Sequence, residues 1–124
     1  MTLIQEQFLQ DLGIDVQRTL ERFGGMWHIL EKFLLKFPED PTFREFKDAQ
    51  ATKNSELLER TAHTLKGLSA NLGIQQLSDL CATCVNAIRQ DDLQTAFGSC
   101  PQIEEEYQRV VGIIHNYSDS MDLH

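Results

Sequence analysis

Apolar residues recur three and four positions apart along almost the entire chain, and no stretch sustains the period-two alternation of a half-buried strand. This periodicity predicts an all-α protein. A first segment over about 2–12 spaces Ile4, Phe8 and Leu12 four apart until Gly13 interrupts it, and a short helix over about 15–23 follows. After Gly24-Gly25, the residues Met26, Trp27, Leu30, Phe33, Leu34 and Phe37 form a stripe ending near Pro38. Its breadth predicts a helix lying within a bundle.

Asp40-Pro41 reads as an N-cap followed by proline at the first helical position, opening a helix over about 41–51 that carries Phe43 and Phe46. Asn54 or Ser55 caps the next helix, about 54–72, whose apolar set is Leu58, Ala62, Leu65, Ser69 and Leu72, with Gly73 placed to close it. From Ile74 to about Gln90 the stripe is Ile74, Leu77, Cys81, Cys84, Val85 and Ile88. Asp91-Asp92 can cap a short helix bearing Leu93, Ala96 and Phe97. Ser99 with Gln102 fits a capping box for a last helix over about 101–118, where Ile103, Tyr107, Val110, Ile114 and Tyr117 keep the spacing of a bundle seam. The tail beyond Ser118 is expected to fray. No repeat or low-complexity stretch breaks this order, so the expectation is one domain over 1–124. Its fold is an up-and-down four-helix bundle, core about 25–118, with additional N-terminal helices at about 2–23.

Composition narrows the function. With 11 Lys plus Arg against 19 Asp plus Glu among 124 residues, the net charge is −8, the wrong sign for a protein that binds nucleic acid by neutralising phosphates. No apolar run approaches the roughly 20 residues of a membrane span, and the start lacks a basic stretch followed by an apolar one. Three cysteines, an odd number without a signal peptide, point to reduced thiols and a cytoplasmic location. Cys81 and Cys84 form a C-x-x-C, yet there is no βαβ context for redox chemistry and no second pair for zinc, so packing is the expected role. Cys100 sits at a helix start with nothing catalytic nearby in sequence. His28 and His115 read as boundary residues, and the absence of an E-x-x-H pair counts against a di-iron bundle. Neither metal nor cofactor is expected on this chain, and no Gly-rich ATP loop supports kinase activity.

One position departs from ordinary helix logic. At about 100° per residue, the apolar set of the 54–72 helix clusters on one arc and His63 falls opposite, among Glu56, Glu59 and Arg60. Exposed helix positions usually carry long helix formers, but Gly67 and Ala70 follow on this face, and Gly costs about 1 kcal/mol relative to Ala in a helix interior. Helical side chains lean toward the N-terminus, so a large residue at 67 would lie across the His63 ring, while the lean of Lys66 brings its ammonium toward it. A neutral imidazole can attack phosphorus and a nearby cation can pair with the anionic oxygens of the transferred group. The plainer alternative is an exposed histidine beside a lysine, with Gly67 allowing a helix to pack closely.

The stretch AHTLKGLSANLG, residues 62–73, resembles the H-x-x-K-G signature, with a second Gly following, of histidine-containing phosphotransfer (HPt) domains, and weaker similarity extends over about 13–115. The resemblance implies a four-helix bundle whose solvent-facing His63 carries a phosphoryl group. It further implies that Lys66 is its electrostatic partner, Gly67 the space-maker, Gly73 the hairpin turn, and Glu59, Arg60, Thr64, Ala70 and Asn71 the docking rim. The implied partners are response-regulator receiver domains or a hybrid histidine kinase, with Mg²⁺ held by the receiver, and this chain would be a monomeric phosphocarrier. Many members carry a Leu-Glu pair after the motif where Cys84-Val85 stand here, so an acidic group is missing at that point. Two rivals remain open: an HPt-like helical interaction module without phosphotransfer, and a metal or redox protein using Cys81, Cys84 and a histidine.

Overall fold

A computed structural model describes residues 1–122. Among them are eight α-helices and one 3₁₀ turn: α1 (Leu3–Asp11), α2 (Val16–Arg22), α3 (Trp27–Lys36), the turn Phe37–Glu39, α4 (Thr42–Ala51), α5 (Ser55–Asn71), α6 (Gln75–Arg89), α7 (Leu93–Gly98) and α8 (Cys100–Ser120). The three longest helices α5, α6 and α8 make the bundle together with α3 and α4, which follow one another through the 3₁₀ turn; α4 packs on α5, α3 and α1 on α8, and α7 on α6.

Local chemistry sets most boundaries. Thr2 and Gln5 form a reciprocal capping box at α1, and the Asp15, Asn54 and Asp92 side chains accept the backbone N–H of Arg18, Leu57 and Thr95 at the starts of α2, α5 and α7. The α5–α6 turn is a Schellman closure: the Ile74 N–H reaches Ser69 O at 2.9 Å and the Gly73 N–H reaches Ala70 O at 3.1 Å. Gly73 itself has φ +79°, the left-handed region, and a Cβ there would collide with Thr19 Oγ1. The packing of α2 against this turn therefore leaves room only for glycine.

Leu58, Ala62, Leu65, Ser69 and Leu72 of α5 are all buried, as is the α8 seam Ile103, Tyr107, Val110, Ile114 and Tyr117. Burying one such Leu side chain contributes about 1.5–3 kcal/mol, so α5 is anchored by its inner face alone. Phe43 of α4 stacks on Tyr107 with centroids 3.7 Å apart, and Phe8 of α1 stacks on Tyr117 at 3.9 Å. Arg109 clamps α1 onto α8 by donating to Asp11 O at 2.9 Å while its fork binds the buried Glu106 carboxylate at 2.8 and 2.7 Å.

Several details differ from the periodicity. The stripe on α3 is not wholly internal: Leu30, Leu34 and Phe37 are buried, but Met26 is 53% and Phe33 47% exposed, because α3 meets α8 along one edge and leaves the other open. Ile4 and Leu93 are likewise exposed. Ser99 does not cap α8, since its hydroxyl donates to Ala96 O at 2.7 Å and α8 follows α7 almost without interruption. Helix α4 begins at Thr42, one residue later than the proline rule suggests, and Asp40 still accepts the Thr42 N–H at 2.9 Å. Helix α8 continues through Ser120 instead of fraying at Ser118, held by packing of Tyr117; the expectation for the last residues, 123–124, lies outside the described ones.

Candidate functional site

The outer wall of α5 is built by contrast with its inner face. Apolar side chains turn inward and fix the helix's rotation, so the residues between them must face out. His63, Thr64, Arg60, Gly67 and Asn71 are exposed, while Glu59, Lys66, Leu68 and Ala70 are half-buried. His63 makes no hydrogen bond to a described residue, and neither of the two ion pairs among the described residues involves Lys66. The helix beneath is braced: Thr64 Oγ1 donates to Arg60 O at 3.0 Å, and the buried Thr61 and Ser69 hydroxyls return to Leu57 O and Leu65 O at 2.8 Å.

The surroundings of Gly67 bear on the plainer sequence explanation, close packing of a neighbouring helix. A Cβ built at Gly67 meets no heavy atom within 4 Å, so no neighbouring helix requires its smallness. What Gly67 leaves open is solvent beside the imidazole.

The two flanks of His63 differ. Ser78 of α6 donates to Lys66 O at 3.1 Å, which places α6 on the Lys66 side, about 60° round the helix from His63. On the other side, at about 40–140°, come Gly67, Asn71, Thr64 and Leu68, and beyond Leu68 stands Phe33 of α3. Leu68 and Phe33 were not singled out for this face by the sequence; their signal was being apolar without belonging to the buried arc of α5 or the deepest part of the α3 stripe.

Cys84 and Val85 are fully buried, so this pair does not border the His63 face, and an acidic residue at 84 or 85 would enter the core instead of a rim. All three cysteines are free and buried. Burial, and then the neighbouring Cys84, push the Cys81 thiol up to about 12. The Cys84 and Cys100 thiols converge on Ala96 O, each at 3.6 Å; the hydrogen bond from Cys100 draws Cys84 down to about 7 against the opposing cost of burial, and the same bond pushes Cys100 up. No His, Cys, Asp or Glu trio among the described residues converges into a metal-binding group. His28 and His115 are both exposed and line one open groove of about 680 Å³ between α3 and α8. No helix among the described residues is long and apolar enough to cross a membrane.

An exposed, unpartnered imidazole with a cation on one flank and open space on the other can act as a nucleophile toward a group carried by another macromolecule. Comparison with known proteins bears on which group. A family model described as the Hpt domain matches residues 6–112, whereas neither the curated proteins nor the solved structures contain a match.

Proposed function

The chain belongs to the Hpt domain family, and from that premise we propose that it is the histidine phosphotransfer intermediate of a multistep two-component phosphorelay, in which His63 exchanges a phosphoryl group with the aspartate of a response-regulator receiver domain. The observation that carries this reading is the open flank of His63, where Gly67 faces solvent with nothing packed against it. Among the residues of AHTLKGLSANLG, only Gly67 has a place that helix stability disfavours and packing does not explain.

In the forward step a ring nitrogen of neutral His63 attacks the phosphorus of the receiver's acyl phosphate. The N–P bond forms as the P–O bond to the aspartate breaks, and the carboxylate leaves on the receiver. The reverse step returns the group to a receiver aspartate. Developing charge on the phosphoryl oxygens is met from this side by the Lys66 ammonium and from the partner's side by its Mg²⁺ and cationic groups. Glu59, Arg60, Thr64, Ala70 and Asn71 surround the imidazole as the rim a receiver would touch, where charges set partner choice and on-rate more than affinity. The chain itself acts as a phosphocarrier, with receiver domains or a hybrid histidine kinase as its partners.

Incubation with a phosphorylated receiver tests this. The wild-type protein is expected to gain an acid-labile, base-stable label, and His63→Gln to gain none while its helical circular dichroism and melting temperature stay at wild-type values. Label on His63→Gln would remove His63 from the relay. A wild-type protein that binds the receiver but takes no label would leave an interaction module without transfer.

A further inference from the structure

We propose that Cys84 and Cys100 form a modification site, a dithiol that a hydroperoxide closes into a disulfide joining α6 to α8 beneath α7. The chain places Cys84 on the buried face of α6 and Cys100 at the first position of α8, with the six residues of α7 looping between them. Both thiols converge on one atom, Ala96 O, each at 3.6 Å, and the Cys100 thiol lies within hydrogen-bonding reach of the Cys84 sulfur. This is a different pair from the C-x-x-C of the sequence. Cys81 and Cys84 leave one helix in directions about 60° apart, whereas a disulfide needs Cβ atoms that approach one another.

The surroundings suit oxidation of this pair. Ala96 O also accepts from the Ser99 hydroxyl at 2.7 Å, so removal of both S–H donors leaves no buried acceptor unsatisfied. The hydrogen bond from Cys100 draws the Cys84 thiol down against burial, while burial and then Cys84 push the Cys81 thiol up to about 12. The attacking thiolate therefore forms at Cys84 before Cys81. Lys53 brings a cation to the same corner: its ammonium lies 5.0 Å from the centroid of the Phe97 ring on α7, and its charge favours an anion at Cys100. Both sulfurs are sealed in the folded chain, but the cover is thin. Ala96 is the one buried residue of α7, and residues 89–95 are exposed in succession, so opening of this short helix admits a small oxidant without unfolding the bundle.

In the first step the Cys84 thiolate attacks one oxygen of the hydroperoxide. An S–O bond forms, the O–O bond breaks, and the other oxygen leaves as water or an alcohol with the proton that Cys84 gave up. In the second step the Cys100 sulfur attacks the Cys84 sulfur; the S–S bond forms, the S–O bond breaks, and hydroxide leaves as water with the Cys100 proton. Two electrons pass from the sulfurs to the peroxide, and a small dithiol reverses the bridge.

The test treats the reduced full-length protein with hydrogen peroxide, alkylates the remaining thiols under unfolding conditions and maps the bridges by peptide mass spectrometry. The expected result is loss of two of the three free thiols, with the bridge from 84 to 100 at least tenfold more abundant than any bridge to 81, and recovery of all three on addition of dithiothreitol. Cys81→Ala is expected to close the same bridge and Cys84→Ala to close none. A folded chain that keeps all three thiols, that pairs Cys81, or that links to a second chain instead would overturn the site, as would a bridge in Cys84→Ala. Pairing no more selective than in the urea-unfolded chain would also overturn it, since the folded geometry would then contribute nothing. No step draws on His63, so the outcome is independent of the phosphotransfer reading.

Discussion

Gly67 and Gly73 belong to one helix and its turn, and the molecule treats them in opposite ways. At Gly73 the backbone is left-handed, with φ +79°, and the missing Cβ is replaced at once by Thr19 of α2 and Ile14 ahead of it. At Gly67 the backbone is helical and the missing Cβ is replaced by nothing. The first glycine is demanded by the fold, and any side chain there would have to displace α2. The second weakens α5 slightly and has no neighbour within 4 Å of an added Cβ, which fits its proposed role as space for a partner. The same contrast separates the inner and outer faces of α5: Leu58, Ala62 and Leu65 are sealed, whereas His63 stands without a hydrogen-bonding partner among the described residues.

The largest effect that could break this contrast is expected at the turn. Gly73→Ala should cost about 2–4 kcal/mol, from left-handed strain together with displacement of Thr19, read as a lower urea midpoint with an unchanged slope. A midpoint equal to wild type would mean that the turn is not the constraint it looks. A smaller effect sharpens the distinction between sealed and open groups. The folded state holds the Cys81 thiol protonated up to about 12 by burial, and raises Tyr117 by burial and by its hydrogen bond to Glu31. Both are acids whose folded pKa exceeds the unfolded one, so their stabilisation is complete below pH about 9 and is lost as pH rises beyond it; the lowered Cys84 acts below that range. Unfolding free energies from urea titrations at pH 9 and 10 should fall, by up to about 1.4 kcal/mol per withheld proton, and Cys81→Ala should flatten the pH dependence. The smallest stability change, and the one of opposite sign, belongs to Gly67. Gly67→Gln should raise stability by about 0.5–1 kcal/mol while slowing phosphoryl transfer, measured as the rate of label uptake from a phosphorylated receiver. Unchanged transfer in that variant would end the role of Gly67 as space for the partner.

Most of the helices were legible from local signals. Asn54, Asp15 and Asp92 act as caps through contacts three residues away, and Gly73 as a turn through bonds to its own helix, so neighbours in sequence carry that information. The outward direction of His63 was legible for the same reason, since the apolar arc of α5 leaves it no other side. Ser99 departs from its pattern because its hydroxyl has a competing acceptor in the preceding turn, Ala96 O, which the pattern Ser-x-x-Gln does not reveal. The α3 stripe is more open than its pattern suggests because periodicity reports how much apolar surface a helix carries and not how much of it a neighbour covers.

By itself the sequence determined where the helices run, which arc of each is apolar, and that His63, Lys66 and Gly67 share the outer part of one helix, because caps, turns and the 3.6-residue period act within a few residues. Only the tertiary structure decided that α6 flanks Lys66 while Phe33 of α3 lies next to Leu68, that Met26 and Phe33 remain exposed, that Cys84 and Val85 are buried, and that nothing fills the space at Gly67. Those outcomes depend on which surfaces far apart in the chain come to cover one another, and burial is settled by that packing and not by any residue's own preference.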